Sequence, residues 1–294
     1  MTNPIVRRRL ERSVGPFEGV PASLKPSLVA WIGDAANFIA RHTGMPVEDV
    51  VRTIELQLGD RSFTMEKIPT TDPLLRLENF NRTDLDVLID TARGDSELAL
   101  DIVALLVVLL VDQADAASAV WLKELERILT IGHSVWEVDA EGGQLVSRVD
   151  PTVGDRADAV TAEESNAARY LADAWRELRR RGGDFDLALD HANKALEAAA
   201  KPVVLPNSAK ATLGTIIAAL RDKPAKCTCA LGAIDEIAAR LETIWKAQRR
   251  HGVDDSAELV RVNPSAAEAA VHEATTLVVW FRNGLIRIAP THPV

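Results

Sequence analysis

Apolar residues recur at every third or fourth position through most of this chain, the period of a helix buried along one face. Leu24, Leu28, Trp31, Ile32, Ala35, Phe38 and Ile39 keep that spacing and predict a helix over 20–44, stopped at Gly44. A second helix over 45–59 takes Pro46 into its first turn, with acids behind it that suit the helix dipole. A loop with Pro69 and Pro73 follows, then helices over 81–94 and 95–113, the second capped by Asp95 or Ser96. Its run "LALDIVALLVVLLV" is apolar enough to predict burial on all sides. It is also too short for a bilayer and contains Asp101. Over 114–132 the stripe consists of Ala117, Val120, Trp121, Leu125 and Leu129.

The period then shortens. "SVWEVDAEGGQLVSRVD" (134–150) alternates in two short runs about Glu141-Gly142-Gly143, which predicts a β-hairpin. Helical spacing resumes over 156–183, ended by a glycine pair, and continues over 184–206 and 207–222, with Ser208 as the expected cap of the latter. A loop around Pro224 holds Cys227 and Cys229. The stretch 230–252 buries Ile234, Ile237, Leu241, Ile244 and Trp245 and stops at Gly252; 263–284 opens with Asn-Pro and closes with Asn-Gly. The predicted fold is mostly α. Two helical subdomains, 1–133 and 151–284, are joined through a short β-hairpin at 134–150. The second is an up-and-down helical bundle, and 285–294 forms a C-terminal tail.

Composition agrees with helices. Only 4% of residues are aromatic, whereas β-sandwiches use Tyr, Phe and Thr freely. A net charge of −9 excludes indiscriminate coating of nucleic acid, which needs a basic surface. Two local arginine clusters, Arg7-Arg8-Arg9 with Arg12 and Arg176 with Arg179, Arg180 and Arg181, read as solvated helix faces. Two cysteines cannot build a zinc site without a second cluster of ligands, so free thiols, no metal and no other cofactor are expected. No apolar segment follows the basic N-terminal residues. The chain therefore reads as cytoplasmic, without a membrane partner.

The candidate chemistry lies in "WKAQRRHGVDDS" (245–256), where Arg249 and Arg250 adjoin His251 and Gly252. Basic residues in a last helical turn and a glycine stop also suit plain capping, and Asp254 and Asp255 could pair with the arginines. Around this stretch, "LALDHANKALEAAAKPVV", "SAKATLGTIIAAL", "RRHG" and "SAAEAAVHEATTLVVWFRNG" follow one another in order. In that order, residues from about 160 to 284 resemble the C-terminal domain of abortive-infection (Abi-C-like) proteins, within the HEPN group of helical domains. The first half resembles regions found beside such domains in bacterial proteins.

The resemblance implies an antiviral-defence protein, possible RNA as substrate, a homodimer, and a metal-independent ribonuclease site shared across it. There a His moves a proton near neutral pH, while an Arg about four to six residues before it grips the phosphate. His251 would be the acid/base, with Arg250, Arg249 and Lys246 as phosphate groups. This chain departs from the pattern, because only Lys246 stands at the family spacing and a lysine lacks the bidentate fork. The same spacing at Arg127–His133 and Arg287–His292 matches what chance supplies. The alternative is a non-catalytic dimerisation or partner-sensing module that meets a phage or host protein.

Other features are weaker. His191, Lys194 and Glu197 fall near one helical face and could form a polar site or simple surface pairs. His272-Glu273 lacks the second His of a zincin, and neither a phosphate-binding glycine loop nor a nucleophile turn is present. Trp121, Trp136, Trp175, Trp245 and Trp280 fall at packing positions.

Overall fold

The computed structural model describes residues 19–59, 83–149, 151–162, 164–208, 210–249 and 262–289. These residues are mostly helical and form two compact units, Met1–Arg148 and Val149–Val294, each with its own apolar core.

In the first unit α1 (Lys25–Thr43) and α2 (Val47–Leu58) are separated by Gly44, whose φ of 72° is a left-handed stop that a side chain would resist. Then come α3 (Asp84–Gly94), α4 (Ser96–Asp112) and α5 (Ala116–Ile131). Thr83 and Asp86 form a reciprocal capping box at the start of α3. Asp95, and not Ser96, caps α4, accepting from the N–H groups of Glu97 and Leu98. Asp115 caps α5 through the Ser118 N–H at 2.6 Å and also pairs with His42, which lies in the last turn of α1. The expected stripe of α1 is buried, apart from a half-buried Phe38.

Two expectations need correction here. The apolar run of α4 is not enclosed on all sides: α1, α2, α3, α5 and the hairpin surround it, yet Val108 is 41% exposed and Leu105 and Leu109 are half-buried. The stripe of α5 is also rotated. Ser118, Leu122, Leu125, Ile128 and Leu129 face inward, whereas Val120 is 64% exposed.

The hairpin pairs β1 (Trp136–Asp139) with β2 (Gln144–Ser147) antiparallel, Trp136 opposite Ser147. Leu145 is buried in the first core, and the Glu126 carboxylate accepts from the Val138 N–H at 2.9 Å. Arg148 bridges Glu126 at 2.5 Å and Glu137 at 3.2 Å. The hairpin is thus a packed part of the first unit, where the sequence suggests a connector. Two strands alone are marginal in water, and α4 and α5 supply the surface they need.

The second unit contains α6 (Pro151–Thr161), α7 (Asn166–Arg179), α8 (Phe185–Val204), α9 (Leu213–Asp222), α10 (Ile234–Arg249) and α11 (Pro264–Arg282). The single helix expected over 156–183 is two, because the Ser165 side chain caps a new helix and accepts from the Ala168 N–H at 3.1 Å. Ser208 does not cap α9. Thr212 does, in a capping box with Thr215. α8 is the axis of the unit and packs against α7, α9, α10 and α11, burying Leu189 and Leu196 with Leu171, Leu241, Val271 and Leu277.

The cysteine segment and the expected tail are neither loop nor tail where they meet. β3 (Cys227–Cys229) pairs antiparallel with β4 (Ile286–Ile288), Cys229 opposite Ile286, and Ile286 is fully buried. Three-residue strands are too short for alternation to announce them, and the two that pair here, Cys227–Cys229 and Ile286–Ile288, lie far apart in the chain. Among the described residues no helix is long and apolar enough to cross a membrane.

Candidate functional site

α10 carries the sequence candidate at its end, and α8 holds that end in place. Asp235 and Glu236 sit in the first turn of α10, favourable to its dipole, and Ile234, Ile237, Leu241 and Ile244 form the buried stripe that fixes its rotation. One turn beyond Ile244, Gln248 faces α8. Its amide nitrogen donates to Asp190 at 2.8 Å, and its carbonyl accepts from the Asn193 amide at 2.8 Å. Asn193 is buried, and its own carbonyl oxygen has no hydrogen-bond partner. Asp190 also holds Lys194 at 2.5 Å. Burial pushes the Asp190 carboxyl up, but the hydrogen bonds from Lys194 and Gln248 outweigh it and leave the group below the ordinary carboxylate range.

Lys246 lies one turn from Glu242, and its ammonium pairs with that carboxylate at 3.0 Å. Arg221 from α9 reaches the same carboxylate at 2.5 Å. Hydrogen bonds from Arg221 and Lys246 hold Glu242 down at about 2, so it stays an anion at neutral pH. Lys246 is therefore engaged by a carboxylate on its own helix. Arg249 is the last residue of α10. Arg250, His251 and Gly252 lie outside the described residues, as do Asp254 and Asp255.

The second polar candidate separates into three different jobs. Lys194 is the partner of Asp190. Glu197 accepts from the Leu213 N–H at 2.9 Å, a carboxylate placed on the first turn of α9. His191 stacks on Tyr170 with ring centroids 6.3 Å apart, and its Nδ1 is buried without a partner. Sequence reasoning passed over Asp190, Asn193 and Gln248. Asp190 and Lys194 stand at i and i+4, a signal open to reading, but nothing in spacing couples either to Gln248 on another helix.

The remaining candidates are structural. His272 meets the Trp175 ring edge-on at 4.9 Å, and Glu273 pairs with Arg240 at 2.7 Å. Arg176 pairs with Asp173 at 2.6 Å and Arg180 with Glu177 at 2.8 Å, while Arg179 and Arg181 are likewise engaged. That cluster is a carboxylate-laced helix face. Arg7, Arg8, Arg9 and Arg12 lie outside the described residues, as does His292. Arg127 is held by Glu124 at 2.5 Å. Both cysteines are free, and burial pushes the Cys227 thiol up, away from the reactive thiolate. Among the described residues no group of three or more His, Cys, Asp or Glu could hold a metal ion.

No family model, curated protein or solved structure matches the chain.

Proposed function

We propose that this chain is a defence-associated helical protein of the abortive-infection kind, whose second unit serves as a non-catalytic assembly or partner-sensing module in the cytoplasm. One observation carries the choice against a nuclease. Lys246, which alone stands at the family's phosphate-gripping spacing, is committed to Glu242, and that carboxylate is shared with Arg221. A carboxylate beside the position that should receive a phosphate repels it. The net charge of −9 works in the same direction. The partner would be a second copy of the chain or a phage or host protein.

A second reading is favoured by the Asp190–Gln248–Asn193 relay, which fixes the last turn of α10 one residue before Arg249. Such anchoring is what a metal-independent ribonuclease would need if His251 moved the proton and Arg249 or Arg250 held the phosphate. The deciding experiment incubates the purified chain with single-stranded RNA in chelator and compares wild type with His251→Ala, in vitro and by growth on expression. The module reading expects no cleavage from either and equal growth. Cleavage or toxicity that disappears in the alanine variant, with an unchanged melting curve, replaces it with the nuclease.

A further inference from the structure

The ribbon of β3 and β4 turns one face to the core and the other to solvent. The Ala230 N–H donates to the Leu285 carbonyl and the Ala289 N–H to the Lys226 carbonyl, each at 2.8 Å, so the pairing runs one step past each end of the strands. Side chains alternate along a strand. Cys229 and Ile286, opposite one another, face inward; Lys226, Thr228 and Ala230 therefore share the outer face with Leu285, Arg287 and Ala289. Exposure agrees, since Ala289 is half-buried and the others are open to solvent. We infer that this face is where the protein lies against an anionic lipid surface.

Charge selects the partner. Lys226 and Arg287 stand diagonally across the two strands, and Lys223 is one turn away, its carbonyl accepting from the Lys226 N–H at 3.0 Å. All three side chains are exposed, and none makes an ion pair among the described residues. The face itself carries no carboxylate. Of the acids that adjoin these segments in the chain, Asp235 acts on Arg221 and Glu236 on Arg240, which leaves Asp222, the last residue of α9, against three cations. With a net charge of −9, the protein as a whole is repelled by an anionic surface, so its approach is oriented by this patch.

Aliphatic side chains protrude among the cations. Leu285 on the face is 41% exposed, Leu231 just past β3 is 73% exposed, and Ile288 at the end of the ribbon is 56% exposed. Cations beside protruding aliphatics match anionic headgroups laid over acyl chains. The patch is too small for a stable protein interface, which takes roughly twenty residues on each side. It also holds no aromatic ring on which a base could stack. A bilayer asks for neither, because it closes around a protruding side chain without a shaped pocket. Such contact needs no spanning helix, and the described residues contain none. The assignment is independent of the abortive-infection reading, because none of these residues belongs to the end of α10.

The test is co-sedimentation of the full chain with vesicles of phosphatidylglycerol and phosphatidylcholine, and separately of phosphatidylcholine alone, at low ionic strength. The protein is expected to pellet with the anionic vesicles only and to be released by salt. Lys226→Gln with Arg287→Gln should weaken partitioning about twentyfold, roughly fivefold for each cation, while Lys123→Gln on α5 leaves it unchanged. Leu231→Ser should also weaken it but keep its salt dependence. If the double variant melts early, Lys223→Gln with Lys226→Gln replaces it. Absence of binding to anionic vesicles overturns the inference, and so does equal binding by wild type and a folded double variant. Binding of single-stranded RNA in place of vesicles, lost in the same variant, makes the face a nucleic-acid surface and overturns the lipid assignment.

Discussion

Gln248 of α10 and Asp190 of α8 meet across the seam between two helices, amide nitrogen to carboxylate at 2.8 Å, with Asn193 completing the relay. The relay makes a polar residue part of the interior. Gln248→Leu keeps the volume but strands the buried Asn193 amide and removes a donor from Asp190. The second unit should lose about 1–3 kcal/mol, read from the shift of its urea midpoint. If the leucine variant is as stable as wild type, the relay is ornamental.

The Glu242 carboxylate gives a pH signature. Its folded-state pKa is lowered from 4.5 to about 2, by the Arg221 and Lys246 hydrogen bonds. A lowered carboxylate pKa stabilises the fold fully above the unfolded value, and that contribution is lost as pH falls through the folded value. The stabilisation from this group should therefore fade between about pH 4.5 and 2, and Glu242→Gln should flatten that part of the stability profile. Glu242 is half-buried, but its partners Arg221 and Lys246 lie more open to solvent, so screening by salt should shrink the effect. An NMR titration of Glu242 midway near its ordinary value would refute the pairing.

Gly183 sits between α7 and α8, where a Cβ would lie 1.9 Å from the Glu177 carbonyl oxygen. Backbone cannot swing aside as a side-chain tip can. Gly183→Ala should destabilise the second unit by about 1–3 kcal/mol, the usual cost of overpacking, in thermal or urea unfolding. Gly182→Ala meets no atom within 4 Å but is strained by a φ of 69°. The two variants separate a collision from a conformational cost.

Ile286 on β4 is fully buried although the strand is only three residues long. Ile286→Ala should cost about 2–5 kcal/mol, the range for emptying a core position, while Ile288→Ala, at a 56% exposed position on the same strand, should cost little. Equal effects from the two would mean that the strand is not docked.

Periodicity made the helices legible, and misled where burial is decided at a distance. The stripe of α1 could be read because Leu28, Ile32 and Ala35 all meet one surface. Val120 joined the predicted stripe of α5 by residue type, yet Ser118 is the buried residue, because Asp115 and Ser118 form the start of the helix where it packs. Ser165 inside a helical pattern gave no warning of a break, since serine fits a helix interior passably and a cap well. The β3–β4 pair was invisible because neither strand has a pattern of its own. At the candidate site, Lys246 was legible as a position but not as a paired group. Glu242 stood one turn away in the sequence, but the arrival of Arg221 from α9 depended on tertiary packing.

The ribbon that joins β3 to β4 has a mechanical side. Cys229 opposite Ile286 and Cys227 opposite Ile288 lash the segment after α11 to the segment between α9 and α10. A load applied through the C-terminal end is thus delivered to the middle of the bundle before it reaches the last helix. Stretching this unit from that end should break the lashing first, and a fusion partner attached there would tug on the α9–α10 junction.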